Sequence, residues 1–375
     1  MIEIKTIEPT KANLKAFTKF QIDLYKGNDC FVPPLISDDV ATLSPDKNPA
    51  FDFCDSRYFM AYRDGKPVGR IAGIINRQVN EHSGQQTARF GFIDFIDDPE
   101  VSAALMKAVE DWAREQGMTR IIGPLGFTDL DHEGMLIDGF NELGTMATIY
   151  NYPYYPQHME ALGYEKESDW LEFLIDIPES IPDKHMRIAE IVKKKFGLSI
   201  KKFTSRKEIK EKYGRAIFDL VNEAYADLYE YSPLTPRQID YYIGIYLDLL
   251  NLDLVTLLVD KDEKLVGVGI SMPSMSRALQ KSKGKMFPFG WLHLLKGLKG
   301  KNDRVDLLLV AVHPSYQNKG ANALLFTDLI PTYNKYGFKV AESNPEMETN
   351  DKVQGQWDYF NRRQHRHRRS YHKEL

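Results

Sequence analysis

Val310, Ala311 and Val312 end an apolar run that begins at Val305. The residues His313, Pro314, Ser315, Tyr316, Gln317, Asn318, Lys319, Gly320, Ala321 and Asn322 follow, ahead of a helix-patterned stretch. A buried strand that breaks at a glycine-bearing turn and opens a helix leaves several backbone N–H groups pointing one way. Together with the positive end of the helix dipole, such amides form a cradle for phosphate. Val310 to Val312 and Gln317 to Asn322 are therefore the residues expected to bind a phosphate-bearing molecule.

The elements around this turn occur twice. An apolar run Tyr58 to Arg63, a turn at Asp64 to Pro67 and a run from Val68 read as a hairpin, as do Leu254 to Val259, Asp260 to Lys264 and a run from Leu265. Each hairpin is followed by a strand (Ala88 to Phe95; Val305 to Val312), then a helix (Pro99 to Gln116; Ala321 to Tyr336). A further strand comes next (Thr119 to Ile122; Lys339 to Glu342). The repeated order predicts an α/β chain of two tandem αβ domains with mixed sheets. The boundaries are placed at 1–178 and 197–375, with a linker over 179–196 that contains Pro182 and a helix-patterned run ending in Lys193 to Lys195. Where the second half has its phosphate turn, the first has Ile96, Asp97, Asp98, Pro99 and Glu100. Three carboxylates there would repel a pyrophosphate.

On Gln317, Gly320 and Ala321 the turn resembles the QxxGxG or QxxGxA motif of the GNAT superfamily of acyl-CoA-dependent N-acyltransferases, with Asn322 standing where that family has Gly or Ala. The chain resembles the bacterial two-lobed branch of that superfamily along nearly its whole length. The matching residues include Phe90 to Asp94, Gly123–Pro124, Gly134 to Phe140 and Tyr150 to Tyr155. In the second half they include Asn222 to Tyr225, Met286, Pro288, Gly290 and Arg368 to Tyr371.

The resemblance implies two GNAT-like domains, an acyl-CoA or acetyl-CoA co-substrate held by the second, and transfer of the acyl group to a primary amine. The amine must lose a proton, and Glu342, Glu346 and Glu348 are the candidate bases, with Glu342 best placed at the end of a predicted strand. A backbone amide within Val310 to Val312 would meet the oxyanion. Tyr359, on the last helix, is the candidate acid for the departing thiolate; its other reading is a core aromatic beside Trp357 and Phe360. Tyr225, Tyr229 and Tyr231 lie on a helix expected to shape the acceptor site. Tyr152 and Tyr155, in the cluster Asn151 to Tyr155, are read either as part of an acceptor pocket or as an aromatic seam.

Composition is that of a globular protein, with 43% hydrophobic and 27% charged residues. The net charge of −4 is unevenly divided: residues 1–178 carry 16 Lys+Arg against 29 Asp+Glu, and residues 179–375 carry 33 against 24. A basic half fits an anionic co-substrate and an acidic half a cationic one. Neither a secretory leader nor a run long enough to span a bilayer is legible, so the expected location is the cytoplasm. Cys30 and Cys54 match no metal-ligand spacing, and the expectation is that no metal is used.

Between Ser271 and Asn302 there is no acidic residue, while Arg277, Lys281, Lys283, Lys285, Lys296, Lys299 and Lys301 surround the apolar stretch Met286 to Leu295. This composition belongs to a segment lying on an anionic membrane or to a lid over a fatty chain. It raises a second reading, long-chain acyl transfer to a lipid amine at the inner membrane surface. The alternative for the segment is that its aromatics pack on the acidic half while its lysines pair with carboxylates there. The arginine- and histidine-rich tail, Arg362 to Arg369, reads as a closing strand and not as a nucleic-acid or metal site. A GNAT fold kept only for binding is the remaining alternative to an enzyme.

Overall fold

A computed structural model describes residues 1–247 and 249–375. In chain order the elements are β1 (Glu3–Ile7), α1 (Lys11–Leu24), α2 (Ile36–Thr42), β2 (Cys54–Arg63), β3 (Lys66–Asn76), α3 (Arg77–Ser83), β4 (Thr87–Phe95), α4 (Pro99–Glu115), β5 (Arg120–Gly123), β6 (Met135–Asp138), α5 (Tyr154–Ala161) and β7 (Glu165–Asp176). There follow α6 (Asp183–Phe196), β8 (Ser199–Lys201), α7 (Arg206–Tyr225), α8 (Pro236–Tyr246), β9 (Val255–Val259), β10 (Leu265–Pro273), α9 (Ser276–Ser282) and α10 (Gly290–Lys299). The chain ends with β11 (Arg304–Val312), α11 (Ala321–Tyr336), β12 (Val340–Glu342), β13 (Glu346–Met347), α12 (Asp351–Gln354) and β14 (Arg362–Glu374). The described helices include none long and apolar enough to cross a membrane.

The chain forms two compact units, each assembled from separated segments. Unit one comprises Met1–Leu171, Ser276–Leu295 and His365–Leu375; unit two comprises Glu172–Met275 and Lys296–Gln364. A single cut in the sequence does not separate them, because the last strand returns to the first unit, where Tyr371 to Glu374 pair antiparallel with Gly123 to Arg120. The tail arginines are consumed in that closure. Arg366 and Arg368 are each 1% exposed and donate to the carbonyls of Leu143 and Ile149, and Arg369 pairs with Asp169 at 2.8 Å.

In unit one the strands run β1-β2-β3-β4-β5-β14, and in unit two β7-β12-β11-β10-β9-β8. The correspondence reaches the register. In each unit a hairpin feeds an antiparallel strand that carries one extra residue opposite its partner, between Asp94 and Gly91 in β4 and at Leu308 in β11. Each of these strands then pairs in parallel for three residues only: Thr87 to Arg89 with Arg120 to Ile122, and Arg304 to Asp306 with Val340 to Glu342. Past those triplets the two strands of each pair part.

Local sequence explains the helices that flank the partings. The Asp98 side chain caps α4 by accepting from the Glu100 amide, Pro99 stands in the first turn, and Val101, Leu105, Val109 and Trp112 bury one face. By contrast α11 begins at Gly320, in the left-handed region at φ 82°, with no side-chain cap. A Cβ at Gly320 would lie 2.5 Å from the Ile188 methyl on α6. The segment expected as linker over 179–196 thus contains a packed helix: α6 buries His185, Ala189 and Val192, one face at helical spacing, and lies along α11.

Candidate functional site in unit two

The turn after β11 opens a helix at a left-handed glycine, the backbone form that the sequence predicts. After β11 a short 3-10 turn (Pro314–Tyr316) leads to Asn318 at φ 58° and Gly320 at φ 82°, and α11 follows. The side-chain amide of Gln317 folds back to donate to the Val312 carbonyl at 3.0 Å, bracing the turn against its strand. Among the described residues no backbone carbonyl takes the amides of Gly320, Ala321 or Asn322, whereas Ala323 already bonds the Gly320 carbonyl at 3.0 Å. Three donors at the positive end of a 16-residue helix are thus left for an anion. Lys319 and Lys195 place their ammonium groups over the Phe196 ring at 5.5 and 5.4 Å, which adds positive charge beside the turn. The Asn322 side chain turns away from the turn and donates to Gln356 at 3.1 Å, so it does not crowd the amides.

Behind the turn lies an open, apolar cavity. Its walls are Leu307 and Val310 of β11, Ala341 of β12, Ile175 and Ile177, the inner face of α11 from Asn322 to Tyr333, and Trp357 and Phe360. The lining is almost wholly apolar. Ser271 and Tyr333, hydrogen-bonded to each other at 2.5 Å, are among its few polar groups. Because Asn322 belongs both to the first turn of α11 and to the cavity wall, the two features are continuous. The parting of β11 from β12 supplies the space, and the Asn344 amide reaches back to the Leu308 carbonyl at 2.6 Å.

The tyrosines divide sharply. Tyr225, at the end of α7, donates its hydroxyl to the Val310 carbonyl at 2.9 Å and packs edge-on against Tyr231, so it touches the strand expected to carry the oxyanion donor. Tyr229 is half-buried on the segment that follows. Tyr359 is 50% exposed, with its hydroxyl on Lys184 and the Lys184 ammonium 3.9 Å from the ring centroid. The cavity is lined by its neighbours Trp357 and Phe360, so the expected acid is not presented there. Tyr155 lies in the core of unit one at 1% exposure and is out of reach of an acceptor; Tyr152 is half-buried against the same core.

The carboxylates also reorder. Glu342, the preferred base, is 1% exposed and held by Arg304 at 3.0 Å, so its oxygens serve an ion pair. Glu346 instead accepts from the Trp357 indole at 2.8 Å through one oxygen, while the other is buried with no hydrogen-bond partner among the described residues. Burial raises its pKa from 4.5 to about 7, against the smaller lowering effects of Trp357 and Arg362. A carboxylate that titrates near neutrality beside a cavity-lining indole has the character of a general base. In sequence Glu346 was one acidic residue among three. The four-residue difference from Glu342 became meaningful only through Arg304.

Asp131 accepts from the amides of Phe127 and Thr128 at 2.8 and 3.0 Å and is a structural cap. Burial raises its pKa to about 6.

No family model matches the chain. Protein YghO of Escherichia coli (strain K12) is 30% identical over 311 residues, 82% of this chain and 78% of that protein. A protein of Caulobacter vibrioides (strain NA1000 / CB15N), named bacterial ceramide synthase, is 27% identical over 320 residues, 84% of this chain and 82% of its own. Among solved structures, a tandem GNAT protein from the clavulanic acid biosynthesis pathway aligns over 100% of this chain and 98% of its own, with a TM-score of 0.58 at 12% identity. A probable N-acyltransferase from Enterococcus faecalis V583 aligns over 100% of this chain and 73% of its own, with a TM-score of 0.51 at 11% identity. The chain therefore has the fold of tandem GNAT proteins and belongs to the family that includes Protein YghO.

Proposed function

We propose that unit two transfers an acyl group from a CoA thioester to a primary amine. The observation that carries this reading is the continuity of three features: the parted β11 and β12, the uncapped amides of Gly320 to Asn322, and the apolar cavity between them. In this reading the amides, with Gln317 bracing the turn and Lys319 beside it, hold the pyrophosphate. The thioester arm follows the parting of the strands.

The amine nitrogen forms a bond to the thioester carbonyl carbon, the electron pair moves to oxygen, and the C–S bond then breaks to give thiolate. Glu346, ionised above about pH 7, is the group best suited to take the amine proton, directly or through water. An amide in Val310 to Val312 meets the oxyanion, and Tyr225 fixes the Val310 peptide from the side opposite its N–H. Unit one, with an acidic and self-capped turn, is assigned a supporting role, and the division of labour between lobes is part of the proposal.

A second reading narrows the acyl group. The cavity wall is apolar along α11 from Leu325 to Ile330, more than an acetyl group requires, and favours a long acyl chain. The name of the Caulobacter relative, bacterial ceramide synthase, supports the companion part of this reading, a lipid amine as acceptor.

Calorimetric titration with CoA, acetyl-CoA and palmitoyl-CoA tests both. Tighter binding of palmitoyl-CoA than of CoA is expected, and equal affinity would remove the long-chain reading. Absence of binding to all three would overturn the acyl-transfer reading in favour of a GNAT fold kept for recognition.

A further inference from the structure

Six large apolar side chains within ten residues stand in solvent. Phe287 is 74% exposed, Phe289 68%, Leu292 45%, Trp291 44%, Leu295 42% and Met286 38%. Among the other described residues the exposed large apolar side chains are more widely spaced, Ile245, Tyr246 and Leu249 forming the nearest to a second group, and single ones need no explanation. A contiguous group does.

The segment is held firmly behind these tips. Helix α9 buries Ala278 and Leu279, the Ser276 hydroxyl donates to the Gly144 carbonyl at 2.8 Å, and the Gln280 amide donates to the carbonyls of Asp29 and Phe31 at 2.8 and 3.0 Å. The Ile36 amide takes the Gly284 carbonyl at 3.0 Å. The next turn closes on itself: the Trp291 amide bonds Met286 and its indole bonds the Pro288 carbonyl, at 2.8 and 3.0 Å. Phe287 and Phe289 are therefore displayed outward by a turn that is anchored on unit one, and their rings stay in solvent instead of packing on it.

Charge decides what this surface fits. Lys281, Lys283 and Lys285 precede the tips and form no ion pair among the described residues, and the last turn of α10 adds Lys296 and Lys299. Not one acidic residue lies between Ser271 and Asn302. The core of a protein interface is depleted of lysine, whereas aromatic tips ringed by unpaired lysines match the acyl boundary and headgroups of an anionic bilayer.

We propose that the turn Met286 to Gly290 and the outer face of α10 dock unit one on an anionic phospholipid bilayer. Phe287 and Phe289 enter the acyl boundary, and the lysines meet the headgroups. This goes beyond the acyl-transfer reading and does not depend on it.

Flotation of the full chain with vesicles of phosphatidylcholine alone, or mixed with phosphatidylglycerol, tests the proposal. Wild type is expected to float with the mixed vesicles at low salt, and less so at high salt or without the anionic lipid. Phe287→Ser with Phe289→Ser should lower partitioning at least about tenfold, as expected for withdrawing two aromatic side chains from an apolar medium. Lys281→Glu, Lys283→Glu and Lys285→Glu together should remove the preference for anionic lipid. Since all five side chains project outward, the melting temperature and the CoA titration of each variant should match wild type, which separates loss of docking from loss of the cofactor site. Failure of wild type to float with anionic vesicles at low salt, or equal flotation of the phenylalanine variant, would overturn the proposal. Concentration-dependent dimers abolished by the same double substitution, without vesicle binding, would assign the patch to a second copy instead.

Discussion

Two strands with the same bulge and the same three-residue parallel ladder end in opposite ways. In unit one the parting beyond Arg89 is closed from within. The Leu125 amide takes the Phe90 carbonyl at 2.9 Å, the Phe95 amide donates to the Tyr155 hydroxyl at 2.9 Å, and the Tyr154 hydroxyl donates to the Phe95 carbonyl at 2.5 Å. The Tyr155 ring stacks on Phe95 with centroids 4.2 Å apart. The adjoining helix is capped by its own Asp98, which also pairs with Arg63 at 2.6 Å. In unit two the corresponding helix has no side-chain cap, and the parting opens on a cavity. One backbone geometry therefore serves two ends. Filled with aromatic rings it is core, and left open it is a site, so the choice rests with side chains contributed from outside the repeated strands.

The largest effect expected from disturbing this contrast is in unit one. Tyr155→Ala removes a buried ring and leaves the Phe95 amide without its partner, while the Tyr25 hydroxyl keeps only Asp94. It should destabilise by about 3–5 kcal/mol, read by denaturant unfolding. It should not create CoA binding, because the Asp98 cap remains. New CoA affinity in that variant would show the ring alone to be the difference between the units.

Next in size is Glu346→Gln. The folded pKa of about 7 lies above the 4.5 of a free glutamate, so the folded state binds this proton more tightly than the unfolded chain. Its contribution to stability is full below pH 4.5 and is lost as pH rises through about 7. Between acid and alkaline pH the stability of the variant relative to wild type should rise by roughly 3 kcal/mol. If Glu346 is the base, the wild-type rate climbs through the same pH range and the variant lacks that limb. A variant with an unchanged pH–rate profile would leave Glu346 a structural group.

The smallest effect tests the open helix end. Gly320 is unsuited to substitution, since a side chain there meets Ile188. Lys319 is exposed, and Lys319→Glu should weaken CoA binding about tenfold with little change in melting temperature. Unaltered affinity would place the phosphates elsewhere.

Much of the frame was legible in the chain. Both hairpins, the paired strand and helix orders and the bounds of α11 follow from spacing and turn residues. Less legible was what each element rests on. The run 183–196 had a helical pattern, but only its packing on α11 makes it a wall behind Gly320 instead of a connection between domains. Tyr359 sat at the expected position in sequence, yet its turn presents it to Lys184. Sequence position favours Glu342 over Glu346 as the end of a strand, and only the tertiary structure pairs Glu342 with Arg304.

The sequence by itself determined the repeated α/β order, the glycine turn of the second copy, the acidic turn of the first and the basic apolar stretch Met286 to Leu295. These are local properties, written in residues a few positions apart, where backbone dihedrals, capping and side-chain periodicity act. Only the tertiary structure decided which parting is filled, which carboxylate is free and which aromatics face water. Those outcomes depend on partners far apart in the chain, such as Phe95 with Tyr155, 60 residues on, and Arg304 with Glu342, 38 residues on. Burial and desolvation are set where such partners meet, and no short stretch of sequence contains that information.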